Sequence, residues 1–253
     1  MAEFSGQVVV VIGGSGGIGQ AIARMAAVRG ADVALTFRRN RAAADAVTAE
    51  ISALGRRALS APLDLTDPAG AATFLQEVAE QLGRIDAIIC AAGPDLPQPA
   101  IRDVTPHQWQ SVVLADMTGV FLLISAALPH LRASQGALVA LSSAGVRRYP
   151  PGDILSVAPK ASIEALIRGV AREEGRHGVR ANAVAVGVVE AGQFLRLKGG
   201  EFSEKWEQAA KRNTALKRFG SADELAEIVL FLASRRASYV TGQIISADGG
   251  YSL

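Results

Sequence analysis

Gly13-Gly14-Ser15-Gly16-Gly17-Ile18-Gly19 decides the fold of this chain. It follows a short apolar run, residues 7–12, and opens an amphipathic stretch at 17–29; a second apolar run begins at 32. Glycines at such a point permit a tight turn and let backbone approach a pyrophosphate, while the helix start offers unpaired N–H groups and a positive dipole end. Tight glycine turns are common, so the run alone is weak. Strand, turn, helix and second strand in that order make it a dinucleotide-binding signal, against the plain alternative of an unliganded turn.

Working outward, short runs rich in Val, Ile and Ala recur at 7–12, 32–37, 58–62, 87–90, 137–141, 180–186 and 244–247. They lack polar alternation, the mark of strands covered on both faces. Helical patterns lie between them at 17–29, 41–54, 68–81, 108–132, 160–174 and 222–232. Alternation of this kind implies parallel strands with right-handed crossovers. The expected class is α/β: a single-domain Rossmann fold over residues 1–253, a doubly wound parallel sheet of about seven strands with helices on both faces. One stretch breaks the rhythm. Residues 190–213 carry amphipathic pieces at 193–197 and 202–210 around Gly199-Gly200, with no strand. An insertion after a strand's carboxyl end is where this architecture binds substrates, so it reads as a lid or, more plainly, as a surface helical hairpin.

Composition excludes several classes. Net charge is +2, and paired arginines such as Arg56-Arg57 and Arg235-Arg236 are scattered rather than gathered on one stripe, which argues against nucleic acid. The one cysteine, Cys90, forbids an internal disulfide and suits a reducing compartment. The run from Val8 to Ile12 is far too short for a signal or membrane helix. A soluble, cytoplasmic protein with no membrane partner and no metal site is expected.

The cofactor is read from the end of the second strand, Leu35-Thr36-Phe37-Arg38-Arg39-Asn40. NAD sites commonly place a carboxylate there for the ribose hydroxyls. Here two arginines stand instead, and guanidinium groups suit a 2′-phosphate through charge-assisted hydrogen bonds. NADP(H) is therefore the expected cofactor; the plain alternative makes Arg38 and Arg39 a solvated loop.

At this point the chain resembles the short-chain dehydrogenase/reductase family over essentially its full length. Gly13-x-x-x-Gly17-Ile18-Gly19 is similar to that family's glycine pattern, Asp64-Leu65 to its adenine-contacting dipeptide, and Ala91-Ala92-Gly93 stands where Asn-Ala-Gly is usual. Leu141-Ser142-Ser143 resembles the strand end bearing the active-site serine. Asn182-Ala183-Val184, Val186-Gly187, Arg218-Phe219-Gly220, Tyr239 to Gln243 and Asp248-Gly249-Gly250 resemble later signatures. The resemblance implies that Gly13, Ser15, Gly17, Ile18 and Gly19 frame the pyrophosphate, with Arg38 and Arg39 on the 2′-phosphate. It implies Asp64 and Leu65 at the adenine, Ala92 and Gly93 near the adenosine ribose, and Gly187 and Val189 closing the cofactor set beyond the sixth strand. Lys160 would reach the nicotinamide ribose and Ser143 would orient the substrate oxygen. A homo-oligomer, tetramer or dimer, through helices 108–132 and 160–174 and the last strand is implied too.

The chemistry departs from the family pattern. That pattern uses Asn, Ser, Tyr and Lys, but Ser156 stands at the tyrosine in Ser156-x-x-x-Lys160, Asp116 at the asparagine, and Ala191 at a threonine that helps hold the nicotinamide. Ketone reduction creates an alkoxide that needs a proton donor, and an aliphatic hydroxyl is a far weaker acid than a phenol. Three explanations stand open. Another group supplies the proton: Tyr149, Asp153, Asp116 or a water held by Lys160. Or the reaction is conjugate reduction of an enoyl group, whose enolate is a weaker base, with Lys160 and Ser143 stabilising the oxyanion; Cys90 to Gly93 and Asp116 are similar to the dienoyl-CoA reductase branch. Or the chain is a non-catalytic NADP-binding relative: a partner subunit, a regulator or a non-redox catalyst. Tyr149 alternatively packs on the surface, and Asp116 alternatively caps a kinked turn or faces water. If Asp116 lies near Lys160, mutual attraction is expected to keep both charged. The substrate is a small molecule, with acyl thioester, polyketide and cyclic ketone all fitting.

Overall fold

A computed structural model describes residues 2–93, 96–200 and 202–253. Strands β1 (Val8–Ile12), β2 (Asp32–Phe37), β3 (Ala58–Pro62), β4 (Ala87–Cys90), β5 (Ala137–Ser143), β6 (Arg180–Val186) and β7 (Ile244–Ala247) form one sheet. Every pairing is parallel, in the order β3-β2-β1-β4-β5-β6-β7. In β1 all five residues, Val8 to Ile12, are buried, as a central strand covered on both faces requires. The chain winds outward from β1 through β2 to β3, then returns to β4 on the other side of β1. That reversal opens a crevice at the carboxyl ends of β1 and β4, where this architecture takes its ligands.

The helices are α1 (Gly17–Val28), α2 (Arg41–Ala53), α3 (Gly70–Leu82), α4 (Pro106–Val112), α5 (Gly119–Ser134), α6 (Ile154–Glu174), α7 (Gln193–Leu197), α8 (Glu204–Arg212) and α9 (Ala222–Ala233). Ile22, Ala26, Val47, Ile51 and Leu230 of α1, α2 and α9 seal one face of the sheet. Phe74, Val78, Leu123, Leu131, Ile163 and Ile167 of α3, α5 and α6 seal the other. Arg180 ties the layers together: its guanidinium donates to the carbonyls of Leu232, Ala233, Ser234 and Ala237 at the end of α9. Pro106–Ser134 is the one stretch among the described residues long and apolar enough to cross a membrane. Its Leu123, Ile124, Ala127 and Leu131 pack into the core instead.

The strands fall where the apolar runs put them, except that β1 starts one residue later, at Val8, and β5 continues two residues beyond Leu141 and so carries Ser143 at its tip. Two helices differ. The expected helix 108–132 is α4 and α5 joined by a π turn, Val113–Thr118. It starts earlier, at Pro106, because Thr105 and Gln108 form a reciprocal capping box. The helix expected from 160 begins at Ile154 and runs through Pro159. A proline this near the amino end removes one intrahelical bond only, and Leu155 and Val157 bury the first turn.

Candidate cofactor cleft and active site

The glycine turn is built so that no side chain fits. Gly13 has φ +81°, and a Cβ there would lie 2.8 Å from the Ala92 backbone; one on Gly19 would lie 2.2 Å from the Gly13 carbonyl oxygen. The Gly13 N–H donates to Thr36 Oγ1 at 2.9 Å, and the Ser15 N–H to the Thr36 carbonyl at 3.3 Å. Thr36, buried at the end of β2, therefore holds the turn, a role not signalled by its residue type alone. Unlike α4 and α9, which carry full capping boxes, α1 has Gly16 at its N-cap, no side-chain cap and no acid in its first turn. A bare helix start beside backbone that admits no Cβ fits a dinucleotide pyrophosphate.

At the outer end of the crevice Arg38 and Arg39 are exposed just past β2. Arg38 Nε lies 3.5 Å from Asp64 Oδ2. The N–H and hydroxyl of Thr66, at 3.0 and 2.8 Å, hold the Asp64 carboxyl below the usual range, helped by both arginines. Such an exposed pair is weak and exchanges readily for a phosphate. Leu65 packs against the start of α5, where a Cβ on Gly119 would meet its carbonyl oxygen at 2.6 Å. Gly93 is exposed with open space around it. Gly187 abuts Asp248, a Cβ there lying 2.7 Å from the Asp248 Cα, and Val189 is buried and bridged to Gly220.

Toward the inner end, β5 presents Ser143. Its Oγ accepts the Gly145 N–H at 3.1 Å, which leaves its own proton to donate. A Cβ on Gly145 would lie 2.8 Å from Val157 Cγ2, so the loop after β5 presses directly on α6. On α6, Ser156 and Lys160 are one turn apart and share a face. Asp116 lies in the π turn and is 6% exposed, whereas Ala115 and Met117 beside it are half-buried. A π turn shifts the helix face by one residue and is common at functional sites. Among the described residues the Asp116 carboxyl has no hydrogen-bond partner.

Burial adds to the electrostatics expected of this group. Asp116 does sense Lys160, yet burial outweighs that attraction and raises its carboxyl above the ordinary range. Asp116 thus gives up its proton at higher pH than an ordinary aspartate does. Cys90 at the end of β4 belongs to the same group: burial pushes its thiol up, with Lys160 opposing and Asp116 assisting. Tyr149 is not drawn in. It is 43% exposed on the loop, with no polar contact to Ser143, Asp116 or Lys160.

Asp153 is a second carboxyl raised by burial. It caps α6, its carbonyl accepting from Ser156 and Val157 at 3.1 and 2.8 Å. Burial pushes its carboxyl up to about 6, against a hydrogen bond from Gln98. Near it, burial also raises the Tyr251 phenol, and Arg148 donates to the Tyr251 carbonyl at 2.9 Å. Nothing in the sequence pattern singles out Tyr251. The segment expected as a lid has a small core of its own: Phe194 meets Phe202 and Phe219 at ring-centroid distances of 5.9 and 5.1 Å, and Phe202 stacks on Trp206 at 4.1 Å. Its second helix, α8, starts at Glu204, two residues later than the amphipathic piece, because Ser203 caps it. Its first residues rest on the cofactor turn, a Cβ on Gly17 lying 2.4 Å from the Gly192 nitrogen.

Comparison with known proteins agrees with this geometry. A family model described as Enoyl-(Acyl carrier protein) reductase matches residues 13–252. A 3-oxoacyl-[acyl-carrier-protein] reductase of Staphylococcus aureus is 33% identical over 242 residues, 95% of this chain and 96% of the relative. Among solved structures, a short chain dehydrogenase from Burkholderia cenocepacia in complex with NADP superimposes with a TM-score of 0.91 at 30% identity, covering 99% of this chain and 100% of that one. A carveol dehydrogenase from Mycobacterium avium in complex with NAD gives 0.92 at 26% identity, covering 99% of both. A fully parallel Rossmann sheet with an open glycine turn defines a nucleotide-binding class. The chain belongs to the short-chain dehydrogenase/reductase family.

Proposed function

We propose that this protein is an NADP(H)-dependent reductase of a carbonyl or conjugated enoyl substrate, with Asp116 and Lys160 supplying the proton in place of a tyrosine. The bound cofactor would supply the hydride. Gly13, Ser15, Gly17, Ile18 and Gly19 bind the pyrophosphate, Arg38 and Arg39 the 2′-phosphate, and Asp64, Leu65, Ala92 and Gly93 the adenosine end. Gly187 and Val189 line the nicotinamide end, and Lys160 holds its ribose. Ser143 donates to the substrate oxygen, and Ser156, on the Lys160 face of α6, orients it.

The observation that carries the reading is the burial of Asp116 in the π turn within electrostatic reach of Lys160, where burial raises its carboxyl against that attraction. A carboxyl so tuned can donate through Lys160 or a water, a task Ser156 cannot perform alone. Kinship with a 3-oxoacyl-[acyl-carrier-protein] reductase supports an acyl thioester among the substrates, and the likeness of Cys90 to Gly93 and Asp116 to the dienoyl-CoA reductase branch favours an enoyl one. Exposed Trp109, Leu114 and Phe121 along α4, the π turn and α5 support self-association. Ser156 in the tyrosine position favours one other reading, an NADP-binding partner or regulator without turnover. A panel of ketones, 3-oxoacyl thioesters and enoyl thioesters, followed by loss of NADPH absorbance, separates the two. Turnover abolished by Lys160→Ala supports the reductase; tight NADPH binding with no turnover on any member supports the partner.

A further inference from the structure

Glu164 stands one turn beyond Lys160 on α6 and is 4% exposed, yet the chemistry above makes no use of it. Its Oε1 accepts from Ser142 Oγ at 2.8 Å and lies 3.4 Å from Arg147 Nη1; its Oε2 lies 3.5 Å from Arg168 Nη2. Arg147 also donates through Nη2 to the Ile244 carbonyl at 3.1 Å, at the start of β7. A carboxylate is tolerated at such burial only where hydrogen bonds and opposite charge offset its desolvation. The groups doing so come from the pieces that carry the active site. Ser142 precedes Ser143 on β5, Arg147 lies in the loop that follows, and Arg168 shares α6 with Lys160.

We propose that Glu164 is a positioning residue, which clamps the tip of β5 to α6 and so sets the separation of the Ser143 hydroxyl from the Lys160 ammonium. Successive strand residues point to opposite faces, so the Ser142–Glu164 bond grips β5 from the α6 side and leaves Ser143 unencumbered. Lys160 and Glu164 are i and i+4 on one helical face, so a shift of the Glu164 turn carries Lys160 with it. The inference rests on the NADP(H) reading, in which Lys160 holds the nicotinamide ribose.

The test compares two ligands by calorimetry: NADPH, and 2′-phospho-ADP-ribose, which lacks the nicotinamide half. Glu164→Ala removes the clamp; Glu164→Gln keeps the size and an acceptor for Ser142 but drops the charge. Glu164→Ala is expected to weaken NADPH about fivefold, the scale of one mis-set hydrogen bond, and to leave the fragment unchanged. Glu164→Gln should recover part of that loss. If Glu164→Ala does not fold, Glu164→Gln carries the test and must weaken NADPH alone, by a smaller factor. Equal weakening of both ligands, or of neither, overturns the positioning role. Wild-type protein that binds neither ligand overturns the NADP(H) reading and this inference with it; wild-type binding with equal losses in the variants overturns this inference alone.

Discussion

The glycine turn after β1 and the proposed catalytic group of Asp116, Ser143, Ser156 and Lys160 are built from different material. The turn works with backbone: N–H groups at a bare helix start, held by Thr36, in a space that no Cβ can enter. The proposed catalytic group works with side chains brought from β5, α6 and a π turn, and its proton chemistry would depend on how deeply one carboxyl is buried. A backbone device tolerates almost no substitution. A side-chain device can be re-equipped, as the roles proposed for Asp116 and Ser156 imply.

The sharpest way to test that contrast is to put a side chain into the backbone device. Gly13→Val sets a β-branched residue at φ +81° and drives its Cβ into Ala92. The expected cost is roughly 2 kcal/mol or more of stability, with NADPH affinity falling more than about a hundredfold. Calorimetry and thermal melting check both; near-normal binding would show that the turn is not the phosphate cradle.

Next in size is the catalytic group. Asp116→Asn keeps shape and burial but removes the proton, and turnover should drop about a hundredfold while NADPH affinity holds. The pH dependence gives the sign. Burial raises the Asp116 carboxyl, so its proton-donating form persists to higher pH than in an ordinary aspartate, and the rate falls as pH rises through that raised value. Asp116→Asn should lose this limb of the kcat profile. An unchanged profile would leave the donor elsewhere, with Asp153 the next candidate.

A smaller effect belongs to the outer end of the crevice. Arg38→Ala with Arg39→Ala should weaken NADPH about ten- to a hundredfold and leave NADH nearly unchanged, since only the 2′-phosphate loses its charge-assisted bonds. Parallel titrations with both dinucleotides decide it, and equal losses would make the arginines a general electrostatic patch. The Arg38–Asp64 pair is exposed at both ends, so breaking it contributes little to either figure.

How far the sequence could be read follows from the same contrast. Parallel strands buried on both faces appear as unbroken Val, Ile and Ala runs, and a turn that needs glycine announces itself by glycine. β2, β3, β4, β6 and β7 accordingly lie where those runs put them. The π turn has no such mark, because Val113 to Thr118 read as ordinary helix and only packing forces the wider turn. Whether Lys160 or burial controls Asp116 is likewise a matter of depth, which residue spacing does not encode. Nothing in the residue spacing marks Glu164; its burial against Ser142 is a property of how β5 meets α6. Tyr149, the chemically attractive residue in the sequence, stands on the exposed side of its loop, while Tyr251 comes from the far end of the chain to lie near Asp153.

The smallest effect concerns Asp153, and its sign follows from linkage. In the folded chain its carboxyl sits at about 6, above its ordinary value of 3.8, because burial at the start of α6 opposes ionisation more than the Gln98 hydrogen bond favours it. The folded state therefore holds this proton more tightly than the unfolded chain does, and ionisation works against folding. That contribution to stability is fully present below about pH 4 and is lost as pH rises through about 6. Asp153→Asn mimics the protonated form in shape and keeps an acceptor for Gln98, so it should melt close to wild type at pH 4 and above it at pH 7. Allowing for partial exposure, the gap at pH 7 is roughly 1–2 kcal/mol, a few degrees in Tm. Melting curves at several pH values would show the two proteins diverging between these limits. Parallel curves would mean that solvent reaches Asp153, which would also remove it as the reserve proton donor and leave the side-chain half of the crevice dependent on Asp116.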